Sequence, residues 1–160
     1  MTVRRRFTVM LAAVGLAAGL LSTATPATAG TAAVPTDTCG GSVYVSPDRE
    51  VRTLGSNIPV AKIQLRRDSN YYYWSCITFY SAVPTGYWAT ARLTRYLDGS
   101  FTDEFACGRG GGTPHVSAGM RFCRSPKILA PSSRVTFYAE GFEYKGSTEV
   151  VAWGDTIEGR

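Results

Sequence analysis

The run Asn70-Tyr71-Tyr72-Tyr73-Trp74-Ser75-Cys76-Ile77-Thr78-Phe79-Tyr80-Ser81 constrains this chain more than any other stretch. Aromatic and β-branched side chains suit a pleated, half-buried surface, and a cysteine in the middle offers a covalent anchor. The run predicts a central strand with sheet on both sides. Just upstream, Ala61, Ile63 and Leu65 alternate with Lys62, Gln64 and Arg66, the period of two of a half-buried strand. Asp68-Ser69 is a turn signal between them. A two-residue loop pairs Arg67 with Asn70 and a four-residue loop pairs Arg66 with Tyr71. Both place Leu65 opposite Tyr72, Ile63 opposite Trp74 and Ala61 opposite Cys76. Cross-strand pairs share a face. Tyr72, Trp74, Cys76, Thr78 and Tyr80 are therefore expected inside, with Tyr71, Tyr73, Ser75, Ile77 and Phe79 outside beside Lys62, Gln64 and Arg66.

The same reading continues downstream. Pro84-Thr85-Gly86 predicts a hairpin that sets Tyr80 opposite Ala91, with Ala89, Ala91 and Leu93 inside and Trp88, Arg92 and Tyr96 outside. Asp98-Gly99 is a strong short hairpin signal. A three-residue loop, Asp98-Gly99-Ser100, pairs Leu97 with Phe101 and Leu93 with Phe105, which keeps Phe101 and Phe105 inside; a slip of one residue would turn them out. Val135, Phe137 and Ala139 alternate with Thr136, Tyr138 and Glu140, and Glu149 to Trp153 forms a last strand, with Gly141 and Gly146 expected at turns. No helical period is found past residue 30. Short strands with turns every eight to twelve residues predict an all-β, single antiparallel β-sandwich or small barrel.

Three boundaries follow. Arg4, Arg5 and Arg6 precede an apolar run from Phe7 to Leu21, closed by Ala27-Thr28-Ala29. This is the pattern of a signal peptide over residues 1–29, and the apolar run is shorter than the roughly 20 residues that span a bilayer. Residues 30–38, small and polar, are expected to be disordered, and 39–160 to form one β domain. Cys39, Cys76, Cys107 and Cys123 all lie in the exported part, where an even count reads as two disulfides. Three connectivities are possible. Cys39–Cys76 and Cys107–Cys123 are expected, the first tying a loose N-terminus to the central strand and the second closing a Gly-rich loop between neighbouring strands.

Charge and chemistry narrow the function. Without Arg4, Arg5 and Arg6, fourteen basic residues face twelve acidic ones, a balance of +2 over residues 30–160. That is too little to imply nucleic-acid binding. No C-x-x-C pair exists and His115 is the single histidine, so no metal and no cofactor are expected. Acid–base work by His115 would need a positioned partner, for which Ser117 and Asp103 are the candidates, but a solvated surface histidine is the expectation, and every cysteine is expected to be oxidised. Asp103 and Glu104 are neighbours on a strand and point to opposite faces, which rules them out as a paired-carboxylate couple. Gly108-Arg109-Gly110-Gly111-Gly112 lacks the lysine and the following helix of a phosphate loop. No catalytic residue is expected.

The outer face is more informative. It is expected to gather Tyr71, Tyr73, Trp88, Arg92, Tyr96, Lys62 and Arg66, either covered by a second sheet or exposed as a contact surface. Cys39-Gly40, Ile63-Gln64-Leu65-Arg66-Arg67, Tyr73-Trp74-Ser75-Cys76 and Trp153-Gly154-Asp155-Thr156-Ile157 resemble small secreted β-proteins of actinomycetes, of the spore-associated protein A type. The resemblance implies a bacterial, extracellular β-protein and carries over no functional residue. Together these observations lead to the expectation of a secreted, monomeric, non-enzymatic protein. Its partner would be a cell-envelope polymer, spore surface or glycan, or an extracellular protein, with neither nucleic acid nor stable membrane insertion involved. The alternative is an inhibitor of an extracellular enzyme such as a protease, presenting the loop between Cys107 and Cys123.

Overall fold

Ten antiparallel strands and no helix are found among the residues described by the computed structural model, 39–40 and 43–156. The expected signal peptide (1–29) and disordered segment (30–38) lie outside the described residues. The strands are β1 (Val43–Tyr44), β2 (Arg49–Thr53), β3 (Pro59–Arg67), β4 (Tyr72–Phe79), β5 (Tyr87–Leu97), β6 (Ser100–Ala106), β7 (Phe122–Arg124), β8 (Ile128–Leu129), β9 (Val135–Lys145) and β10 (Glu149–Asp155). They make one sheet in the order β6-β5-β9-β10-β2-β3-β4-β7, with β1 against the end of β3 and β8 against the start of β4. The sheet curls into a half-barrel around its own apolar face, and no second sheet is found among the described residues.

That face holds Val51, Ala61, Ile63, Leu65, Ile77, Leu93 and Phe137, all fully buried. The two ends of the strand order, β6 and β7, are joined covalently. Cys107 directly follows β6, Cys123 lies in β7, and the two form a disulfide with a Cα separation of 6.1 Å. The segment between them fills the seam. Val116 exchanges backbone hydrogen bonds with Ala89 at 2.8 and 2.9 Å, and Thr113 donates its N–H to Arg124 O at 3.0 Å. The second disulfide is Cys39–Cys76. Both pairings match the sequence expectation.

The β3–β4 register does not. Arg67 pairs with Tyr73, Leu65 with Ser75, Ile63 with Ile77 and Ala61 with Phe79. The odd residues of β4 therefore face the interior, and the expected faces are inverted. The cause is the turn. Five residues separate the members of the first cross-strand pair, Arg67 and Tyr73; Asp68 Oδ1 accepts the N–H of Asn70 at 3.0 Å and of Tyr72 at 3.1 Å, and Tyr71 adopts a left-handed φ of 60°. An odd loop length changes the parity of every residue after it. Trp74 and Cys76 are nevertheless dry, because the segment at Cys39 lies over them on the opposite face. Trp74 Nε1–H donates to Cys39 O at 2.8 Å, and the Lys127 ammonium sits 4.4 Å from the indole centroid. β4 is thus buried on both sides, which is why its sequence shows no clean alternation.

Other expectations are corrected in the same way. β4 and β5 do not pair. The free edge of β4 is taken by β7 and β8, and Val83 in the connection instead donates to Met120 O at 2.9 Å. The β5–β6 turn has two residues, Asp98 and Gly99, both at positive φ. A bulge between Arg95 and Tyr96 then restores Leu93 opposite Phe105, and Phe101 is left outside. Gly141 is not at a turn but in the middle of β9, pointing inward.

Inward alternation on β9 also carries Glu143 toward the interior, opposite Ala89 of β5 and Ala152 of β10. It is 7% exposed, and its carboxylate makes no hydrogen bond or ion pair among the described residues. Burial pushes its carboxyl above the ordinary value. A folded-state pKa above the unfolded one means that ionisation opposes folding. The stability is full below the unfolded pKa and falls as pH rises through the folded one. Glu143→Gln is expected to raise the melting temperature at pH 7 and to leave it unchanged near pH 3, where the carboxyl is protonated in both states. Thermal unfolding at the two pH values checks this.

Candidate functional site

Alternation places the even residues of β5 and β9 on the convex face. Trp88 lies opposite Tyr144, Thr90 opposite Phe142, Arg92 opposite Glu140 and Tyr96 opposite Thr136. The rings fall in two groups along this face, with the Arg92–Glu140 pair between them. Trp88 stacks on Tyr144 with centroids 4.2 Å apart and planes 9° apart, and its indole N–H donates to Gly146 O at 2.9 Å. Phe142 follows at 6.1 Å from Tyr144, with the Arg92 guanidinium 4.5 Å from its centroid. Arg92 is held by Glu104 at 3.2 Å and Glu140 at 3.9 Å. Tyr96 belongs to the second group, edge-on to Tyr138 at 5.3 Å.

β10 extends this face. Trp153, opposite Phe142 on β9 and Arg52 on β2, is 41% exposed. It lines an open groove of about 960 Å³, together with Tyr138, Asp48, Glu50, Arg52 and Asp155. Arg52 pairs with Glu50 and donates to Asn57 O at 2.7 Å, whereas Asp155 has no ion pair among the described residues. Flat apolar rings beside fixed hydrogen-bonding groups are what a polyhydroxylated ligand requires. Its C–H face covers a ring while its hydroxyls meet carboxylates and guanidinium groups.

The expected site residues fall in three places rather than one. Trp88, Arg92 and Tyr96 share the convex face as expected. Lys62 and Arg66 are on the outer side of β3. Lys62 is exposed, 3.7 Å from Asp48, and Arg66 is 8% exposed with its Nε–H donated to Gln64 Oε1 at 3.0 Å. Tyr71 and Tyr73 sit at the open end of the curl. Tyr73 is 3% exposed and stacks on Phe137 at 4.6 Å, so it belongs to the interior and not to a contact surface. Sequence reasoning did not place Tyr138, Phe142, Tyr144 and Trp153 in one site with Trp88, although only Tyr144 touches it directly. The signal was present, since Phe137, Ala139, Gly141 and Glu143 continue one inward phase if Gly141 is read as a small core residue.

His115 remains exposed, edge-on to Trp88 at 5.3 Å. No group of three or more metal-ligating side chains converges among the described residues. No protein-family model matches the chain, and no curated protein or solved structure matches it either.

Proposed function

We propose that this is a secreted, non-enzymatic protein that contacts a cell-envelope, spore-surface or other glycan polymer through its convex aromatic face. The observation that carries the reading is Trp153, 41% exposed in an open groove beside Tyr138, Asp155 and Arg52. Exposed aromatic surface on a small domain marks a partner, and an open groove suits a chain better than an enclosed small molecule. The two disulfides fit an oxidising, extracellular setting.

Co-sedimentation with insoluble peptidoglycan, chitin or cellulose tests this. The folded protein is expected to pellet with at least one polymer. Trp153→Ala should weaken that binding about tenfold or more, the scale of a truncated aromatic anchor. Retention of full affinity by Trp153→Ala, or absence from all three pellets, removes the proposal.

The geometry of the Cys107–Cys123 loop works against the inhibitor alternative. Arg109 N–H donates to Ala106 O and Gly112 N–H to Arg109 O, so Arg109 sits in a tight turn. Protein clefts that read a peptide by strand addition take an extended segment, and this turn offers none.

A further inference from the structure

The open end of the curl, at the β3–β4 turn, holds a second concave site unrelated to the convex face. Tyr73 and Phe137, stacked at 4.6 Å, are buried there. Arg67, Tyr71, Tyr73, Ser132, Ser133 and Val135 line a cavity of about 430 Å³, within the range of small-molecule pockets. The Arg67 guanidinium lies 5.3 Å from the Tyr71 centroid and 5.9 Å from that of Tyr73.

Arg67 is the unusual group. Lys127 and Arg134, two other cations at this end of the sheet, each meet a carboxylate. Lys127 is bound by Asp68 Oδ2 at 3.1 Å, and Arg134 is paired with Asp98. Arg67 has no carboxylate among the described residues, and its hydrogen bond is a long one, 3.5 Å to Tyr73 Oη. The nearest acid in sequence, Asp68, is already engaged. Desolvation would raise its carboxyl, but the Tyr72 N–H, Lys127 and the Asn70 N–H outweigh that and hold it below the ordinary value.

A second observation is independent of charge. Tyr71 has φ 60°, a conformation that bulky side chains rarely adopt. Its backbone is pinned there, with N–H to Asp68 O at 3.2 Å and C=O from Ala130 N–H at 3.0 Å. The ring is thereby held at the rim, 58% exposed. Local strain that the surroundings maintain is a mark of a binding site.

We propose that this cavity binds a small organic carboxylate with an apolar ring or short chain. The carboxylate would take the Nε–Nη2 edge of Arg67, which has no acceptor among the described residues while Nη1 donates to Tyr73 Oη, a geometry that guanidinium matches with two parallel N–H donors. The apolar body would lie against Tyr73 and Val135, with Tyr71 closing over it and the Ser132 and Ser133 hydroxyls at the edge.

Calorimetric titration of the intact, disulfide-bonded protein with benzoate, phenylacetate and hexanoate tests this, with the three corresponding amides as neutral controls. At least one carboxylate is expected to bind, and its amide to bind at least tenfold more weakly. Arg67→Gln should abolish that preference, while Arg134→Gln, outside the cavity lining, should keep it. Tyr71→Gly guards against a folding artefact, because it relieves the left-handed backbone. It is expected to keep or raise the melting temperature and yet weaken binding severalfold. Failure of all three carboxylates to bind, equal binding of acid and amide, or an unchanged preference in Arg67→Gln overturns the proposal. These outcomes are independent of polymer binding by the convex face.

Discussion

Replacing Gly141 with valine is expected to cost about 3 kcal/mol, the upper part of the range for overpacking a filled core. A Cβ at this position would lie 2.8 Å from Val51 Cγ2 and 2.9 Å from Ile77 Cδ1, and 3.4 Å from Ile63 Cβ. All three neighbours are fully buried and belong to β2, β4 and β3, across the curl from β9. Glycine is thus required here for space, not for its backbone freedom. Gly154, paired directly with Gly141, is as tightly confined, since its Cβ would stand 2.4 Å from Glu50 O. The two glycines let β2 approach the β9–β10 pair. Urea unfolding of Gly141→Val measures the cost, and a loss under about 0.5 kcal/mol would contradict the packing described. Adding Val51→Ala to Gly141→Ala should recover part of the loss, a non-additivity expected only of side chains in contact.

Removing Cys107–Cys123 as a double alanine variant is expected to cost about 3 kcal/mol by the chain-entropy account of a loop of 16 residues. The position of the bond adds a second consequence. It joins the two ends of the strand order, so its loss frees the edges of β6 and β7 for pairing with other chains. The variant should melt well below the parent, be cut by protease first between residues 107 and 123, and associate at high concentration. A melting temperature within 2 °C of the parent would show that the backbone pairing of Val116 with Ala89 closes the seam without covalent help.

The inverted β3–β4 register shows where sequence reasoning stops. The alternation of Ala61, Ile63 and Leu65 correctly identified an inward face. Passing that phase on to β4 required the length of the intervening loop, and Asp68-Ser69 as a turn signal does not reveal that Tyr71 takes a left-handed backbone. β4 itself could not settle the matter, because Tyr73 and Trp74 are equally suited to burial and both are buried. At Asp98-Gly99 the reading came closer. The inward pairing of Leu93 with Phe105 holds, but through a bulge and a shorter turn. The convex face was half legible. Trp88, Arg92 and Tyr96 were visible as one phase of β5, whereas Phe142, Tyr144 and Trp153 joined them only once β9 ran unbroken through Gly141.

Local pattern by itself determined the all-β class and the identity of most strands, because period-two alternation and turn residues are properties of neighbouring residues; the cysteine count implied two disulfides but left three connectivities open, of which the expected one is found. Which strands lie side by side was decided only by the tertiary structure. So were the side of β4 that turns inward and the meeting of Arg67 with Tyr71, Tyr73 and the Ser132–Ser133 loop. The physical reason is that these depend on curvature and on loop parity. One residue more or less in a turn reverses a whole strand, and nothing in the alternation on either side of that turn records it.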